Sequence, residues 1–359
     1  MTTLDPTLPA ADAPVQVADA PPIPGLSFRH AAPADWPAIA DVLNRARRGD
    51  GLDEVRTGDD MAAEHADSES FELGRDMLLA EIDGSLVGWA MGYRVIRDGA
   101  LVAESFGAVD PEVRRRRIGS AVYLATRARL TAECADDPRP GPRELRSYAL
   151  EAEAADRALL AEHGYVPIRY GFEMRRYLTG TLPEHPLPEG LEMRPVTEDQ
   201  YRTIFDADNE AFEDHWGHRA PEEADFQARF HGPDTSPEIW CVAWDGDQVA
   251  GVIMNAIFRE ENEALGIKRA WLEHVSVRRP WRGKGVAKAL CAASFRVLRE
   301  QGMDEAWLGV DGTNPTGALQ LYEGLGFASV RRWMAYGRPL DRPAPEGWAP
   351  GTVIDPARA

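Results

Sequence analysis

The sequence predicts an α/β (α+β) fold built from two tandem copies of one strand-and-helix unit, and three observations carry that prediction. Two hairpin signals, Asp83-Gly84 and Asp245-Gly246, each sit between apolar runs of strand length. Each hairpin is followed by a longer strand pattern that runs into a turn and then into helical periodicity. Between the two sets lies a Pro-rich stretch, residues 181–190, with the composition of a linker. Finding such a repeat settles most of the fold before single elements are considered.

In chain order, residues 26–32 predict a first strand. Asp35-Trp36-Pro37 is an N-cap with proline just inside a helix that carries Ile39, Val42 and Leu43. Residues 77–80 and 86–95 predict the hairpin strands, 100–109 a further strand, and 110–122 a turn that opens a helix. Residues 143–150 and 164–178 supply the remaining strands around a helix over 152–162. The second copy repeats this order, with a strand from Leu191, a helix from Thr197 through Phe212, hairpin strands at 239–244 and 248–258, and a long strand over 271–277. Residues 305–310 predict the next strand. Asn314 then caps a helix with Pro315 at its first position, and Gly326 ends it before a last strand from Phe327.

The 359 residues, 44% of them hydrophobic, suffice for two cores. No apolar run approaches the roughly 18 residues a membrane span requires. Residues 1–25, rich in Ala, Pro and Asp and without a basic start, read as a disordered leader rather than a secretory signal, and 341–359 as a flexible tail. The domains are then 26–180 and 191–340. Cys134, Cys241 and Cys291 form no disulfide framework or metal spacing, which points to a reducing cytoplasm. A net charge of −19 argues against nucleic acid as a partner. It mildly favours a cationic acceptor, although acidity for solubility explains it equally well.

The stretch 271–289 carries the strongest chemical signal. Leu272, Val275 and Val277 belong to a buried strand, which Pro280 ends. Arg282-Gly283-Lys284-Gly285-Val286-Ala287 then opens a helix whose apolar positions Val286, Leu290, Ala293, Val297 and Leu298 recur at helical spacing. The first N–H groups of a helix are unpaired and sit at the positive end of its dipole. Gly283 and Gly285 lack a Cβ, so a phosphate can approach the main chain, and Arg282 and Lys284 add formal charge. The turn suits a pyrophosphate.

Together with Asn314-Pro315-Thr316-Gly317-Ala318-Leu319-Gln320-Leu321-Tyr322-Glu323-Gly324-Leu325-Gly326-Phe327, this loop resembles the signature of the GNAT superfamily of acyl-CoA-dependent N-acetyltransferases. Arg282, Gly285 and Ala287 meet that family's R/Q-x-x-G-x-G/A loop, and Tyr322 stands where its C-terminal helix carries a tyrosine. The resemblance implies, for each copy, a mixed, mostly antiparallel twisted sheet flanked by helices, with strands 4 and 5 splayed. It implies acetyl-CoA as cosubstrate, its pantetheine in the gap and its pyrophosphate at Arg282, Gly283, Lys284, Gly285, Val286, Ala287 and Lys288. Val275, Ser276 and Val277 would bond pantetheine through the backbone, with the Val275 N–H facing the thioester oxyanion. Asn314 would contact pantetheine or a water, or simply cap its helix. Tyr322 would protonate the leaving thiolate, with core packing as the alternative. Glu273, two residues before Val275, is the candidate general base, against a carboxylate that merely faces solvent. Phe212, Glu213, His215 and Trp216, in the segment 205–219, are expected to line an aromatic, acidic acceptor pocket. His215-x-x-His218 without a partner motif is a poor zinc signature, so no metal is expected.

Aligning the copies places Arg114-Arg115-Arg116-Arg117 on Arg282-Gly283-Lys284-Gly285, and Leu160 on Tyr322. Side chains at 115 and 117 should disfavour a left-handed backbone there. The first copy therefore reads as a degenerate GNAT domain and the second as the active one, although four arginines in a row could still attract CoA phosphates and a shifted Arg116-x-x-Gly119-x-Ala121 nominally meets the loop pattern. The expected activity is direct transfer of acetyl to a primary amine of a small molecule, by a monomer or homodimer. The tandem arrangement is similar to that of mycothiol synthases, which acetylate a cysteinyl amine. Antibiotic or polyamine acetylation, and a non-catalytic acyl-CoA-binding or scaffold role, are the alternatives.

Overall fold

The computed structural model describes residues 13–66, 68, 70–232, 235–313 and 317–340. Its first half runs β1 (Leu26–His30), α1 (Trp36–Gly49), α2 (Gly58–His65), α3 (Leu73–Asp76), β2 (Met77–Ile82), β3 (Ser85–Arg97), β4 (Ala100–Val109), α4 (Ile118–Asp136), β5 (Arg143–Leu150), α5 (Ala154–Glu162) and β6 (Val166–Tyr177). The second half runs β7 (Glu192–Met193), α6 (Tyr201–Phe212), α7 (Glu223–His231), β8 (Cys241–Asp245), β9 (Gln248–Ala256), α8 (Arg259–Leu265), β10 (Arg269–Val277), α9 (Val286–Glu300), β11 (Glu305–Asp311), α10 (Ala318–Gly324) and β12 (Ala328–Pro339). The predicted elements are present in the predicted order, but α10 starts at Ala318 with Gly317, in the left-handed conformation, as its N-cap, not at an Asn314 cap. Asp83 and Gly84 both take positive φ (51° and 78°), as a hairpin turn of the Asp-Gly type requires.

The chain folds into two compact units, and neither is contiguous with a predicted domain. One holds residues up to Ile168 together with those from Met334 on, and the other is Arg169–Trp333. The sequence pattern had placed the break at 181–190, but Leu178 and Leu182 are buried in the second unit's core. Those leucines anchor the Pro-rich stretch, so it is not a free connection. Within the second unit the strand order is β6-β11-β10-β9-β8-β7, and β6 pairs antiparallel with β11 from Gly171 opposite Asp311 to Tyr177 opposite Glu305. In the first unit the order is β1-β2-β3-β4-β5, with the last part of β12 beside β5. The Leu340 N–H donates to Arg143 O at 3.0 Å there. Each sheet is mostly antiparallel, with one parallel pair, β4 with β5 and β10 with β11.

The expected disorder of residues 1–25 does not extend over its described part. The Val15 N–H donates to Phe28 O at 2.7 Å, and Val15, Val17 and Ile23 pack on the first unit's core. Apolar residues spaced among the prolines are enough to pin this segment along β1. The tail 341–359 lies outside the described residues.

Two features of the second unit shape its site. β10 and β11 pair only over Arg269–Trp271 and Glu305–Trp307, after which the strands part. A β-bulge follows: Leu272 faces Asn255 and His274 faces Met254, so Glu273 is the extra residue.

Candidate active site

The gap between the parted strands opens into a cavity of about 600 Å³ in the second unit. Its wall combines Leu272, Glu273, Val275, Ser276 and Val277 from β10, the loop and first turn from Arg282 to Lys288 except Lys284, the end of β11, and Tyr322 from α10. Phe212 and His215 close one side. The chain thus brings together at one cavity the strand, the glycine turn and the tyrosine singled out from sequence.

Gly283 and Gly285 have φ of 74° and 89°, and a Cβ on either would meet nothing within 4 Å. The turn is left-handed at both, which glycine adopts without strain, and the missing Cβ leaves the space above them open to a ligand. Gly285 is also the N-cap of α9, and no side chain caps that end. Its first N–H groups therefore lack partners in the helix and line the cavity, an arrangement that fits a pyrophosphate. Lys288 is in the wall, whereas Lys284 is exposed on the loop outside it. Arg282 is anchored to protein. It donates from Nε to Val277 O at 2.9 Å, from one terminal nitrogen to Asp214 at 2.8 Å and from the other to Ala211 O at 2.9 Å. Its fork ties the loop to the end of α6, and the hydrogen bonds from Arg279 and Arg282 hold the Asp214 carboxyl well below the usual range.

Tyr322 is buried, with 6% of its surface exposed, on the cavity side of α10. Burial, reinforced by nearby Cys291, pushes its phenol well above the usual range, so it keeps its proton at neutral pH. Glu273 is exposed at the bulge and faces the cavity. His215 packs at a tilt against Phe212, 4.3 Å between ring centres, and burial lowers its imidazole below the usual range. Glu213 and Trp216 are outside the wall. Glu213 stands 3.7 Å from Arg279, and Trp216 lies under the Arg169 guanidinium at 5.5 Å. Asn314 lies outside the described residues.

Comparison with known proteins accords with this geometry. Residues 201–327 match the model of the acetyltransferase (GNAT) family. A mycothiol acetyltransferase of Salinispora arenicola is 33% identical over 314 residues, covering 84% of this chain and 92% of that protein. The chain belongs to the GNAT acetyltransferase family. Among solved structures, a GCN5-related N-acetyltransferase from Sphaerobacter thermophilus superposes with a TM-score of 0.69 at 24% identity, over 92% of this chain and 99% of that one. A tandem GNAT protein from the clavulanic acid biosynthesis pathway does so at 0.63 and 18% identity, over 88% and 99%. The fold is the tandem GNAT architecture, and this GNAT chain is an acyl-CoA-dependent N-acetyltransferase. Among the described residues, no helix is long and apolar enough to cross a membrane.

Sequence reasoning missed several parts of this GNAT site. Asp311, at the cavity end of β11, is held by Arg169 at 2.6–3.0 Å. Trp281 donates from Nε1 to Asp245 at 3.0 Å and lines the loop side. Asp208 sits on the buried face of α6 beside Ile204, Phe205, Ala207 and Ala211, and a carboxylate on an apolar stripe was the available signal. The first unit also departs from expectation. Arg115 and Arg117 take φ of 65° and 66°, the left-handed conformation that side chains there should disfavour. Arg114 donates to Val109 O, Asp50 and Ala46 O, which reproduces the anchoring of Arg282 and holds the loop in shape.

Proposed function

We propose that the second unit moves acetyl from acetyl-CoA to the primary amine of a small molecule, with the cysteinyl amine of a mycothiol precursor as the acceptor. The observation that carries the reading is that one cavity is lined by the uncapped start of α9, the parted strands and the protonated Tyr322. The likeness to a mycothiol acetyltransferase over 84% of this chain supports the choice of acceptor. When bound, acetyl-CoA supplies an activated thioester. The first-turn N–H groups of α9 and the Lys288 ammonium hold phosphate oxygens, and Gly283 and Gly285 let them approach. Main-chain groups of Val275, Ser276 and Val277 hold the pantetheine arm, with the Val275 N–H at the carbonyl where negative charge develops. The Tyr322 hydroxyl donates its proton to the departing sulfur. Glu273 attracts the acceptor's ammonium at the cavity mouth. Phe212 and His215 bound the acceptor's side.

The test is release of CoA thiol from acetyl-CoA across a panel of amines that includes a cysteinyl glycoside. Turnover confined to cysteinyl acceptors, lowered in Tyr322→Phe, is the expected result. A protein that binds acetyl-CoA but acetylates no amine would overturn the reading.

A further inference from the structure

Asp208 is buried on α6, with 1% of its surface exposed. Two nitrogen groups converge on its Oδ2 atom: the Arg229 guanidinium of α7 at 2.9 Å, and Nδ1 of the His274 imidazole on β10, also at 2.9 Å though off the line of an ideal hydrogen bond. Burial pushes the Asp208 carboxyl up, but His274, Arg229 and Ser276 together outweigh it, so the group is a carboxylate. Burying such a cluster seldom adds stability over well-packed apolar residues.

The first unit is an internal control for that statement. Leu43 precedes Ala46 by the same three residues as Asp208 precedes Ala211, and both alanine carbonyls accept from the loop arginine. Phe106 faces Met91 on β3 as His274 faces Met254 on β9, and Ala108 follows Phe106 as Ser276 follows His274. Leucine, phenylalanine and alanine satisfy the fold at these positions. Carboxylate, imidazole and hydroxyl occur where the cavity is.

The bulge places half-buried His274 beside the cavity wall, between its lining residues Glu273 and Val275, and its ring meets that of Phe212, also in the wall, at 5.3 Å between ring centres. We infer that His274 is the proton acceptor for the incoming amine and that Asp208 is the residue that positions it, Nδ1 turned to Asp208 and Nε2 left for the substrate. The inference rests on the acetyltransferase reading. One ammonium N–H bond breaks and its proton goes to Nε2, giving an imidazolium that Asp208 stabilises. The freed nitrogen pair forms the C–N bond as the C–S bond breaks. Tyr322 protonates the sulfur, the second ammonium proton restores Tyr322, and His274 returns its proton to water. The charged or titratable groups around His274 are Asp208, with His215 behind Phe212, Arg229 from α7 and Glu273 on its own strand; Met254 opposite carries no charge.

The experiment compares wild type with His274→Gln, Asp208→Asn and Glu273→Gln, reading pH–rate profiles, acetyl-CoA affinity and the imidazole titration by NMR. His274→Gln is expected to lower kcat about 10²–10³-fold, to remove the rise in rate with pH and to leave acetyl-CoA affinity unchanged. Asp208→Asn removes the carboxylate that orients the ring and favours its protonated form, so kcat falls and the rate limb, with the imidazole titration, moves to lower pH. Glu273→Gln raises the acceptor KM and leaves the limb in place. An active wild type with His274→Gln unimpaired, or loss of the limb in Glu273→Gln instead, overturns the inference alone. A wild type that acetylates no amine removes the acetyltransferase reading and this inference with it.

Discussion

Arg114 and Arg282 anchor the two copies of one loop in the same way, each donating to a valine carbonyl, an aspartate and an alanine carbonyl. The residues at the two left-handed positions that follow differ. Gly283 and Gly285 leave their left-handed turn open, whereas Arg115 and Arg117 adopt the same turn at about 1–2 kcal/mol each. Loop shape is thus imposed by the anchor and by the strand and helix on either side. Glycine is needed only where a ligand must approach. The helix that follows makes the same point. Tyr165 N–H donates to Leu160 O as Phe327 N–H donates to Tyr322 O, so Leu160 holds the tyrosine's place without its hydroxyl. Four residues before Leu160 stands Asp156, where the second unit has Ala318 in the cavity wall. Burial, then the charge of Glu153, push the Asp156 carboxyl up to about 7. The first copy keeps the scaffold and carries arginine, leucine and aspartate at the positions of Gly283, Gly285, Tyr322 and Ala318.

The largest effect should come from making the second loop like the first. Gly283→Arg with Gly285→Arg should keep the fold, as Arg115 and Arg117 do. It should weaken acetyl-CoA binding about 10²-fold or more, since two charged backbone hydrogen bonds at about 1.5–3 kcal/mol each are blocked. Isothermal titration reads this, and undiminished affinity would mean that positive charge, not open backbone, selects the ligand. Tyr322→Phe should lower kcat about 10²-fold with the acetyl-CoA KM unchanged in steady-state assays, because a proton donor is removed and no binding surface.

The reverse exchange, Arg115→Gly with Arg117→Gly, should stabilise the first unit by about 1 kcal/mol in all, strain relief less the entropy of glycine. Calorimetry should still count one acetyl-CoA site, because Leu160 and Asp156 remain. A further effect concerns pH. Asp156 holds its proton more tightly folded than unfolded, so wild-type stability falls as pH rises from about 4 toward 7 and is level above. Asp156→Asn should remove that fall, raising Tm by several degrees at mildly alkaline pH and leaving it unchanged in acid.

Much of this was legible because it is local. Asp83-Gly84, the loop 282–287 and the periodicity of α9 each record a backbone conformation in neighbouring residues, and the structure has all three. Phe212 and His215 reach the cavity because the end of α6 points there, but Glu213 and Trp216, adjacent in sequence, turn to Arg279 and Arg169. Alternation within one segment does not say which face a cavity will occupy. The Asp208–His274 contact joins residues far apart in the chain, and no local pattern links them.

The sequence by itself determined the elements, their order, the repeat and the identity of the intact loop, since these rest on φ preferences, capping and apolar period within a few residues. Tertiary structure alone decided which unit β6 and the end of β12 complete, where β10 bulges, and which buried carboxylate meets which imidazole. A strand's alternation is satisfied by any partner of matching pattern, so pairing is chosen by the packing of the whole chain.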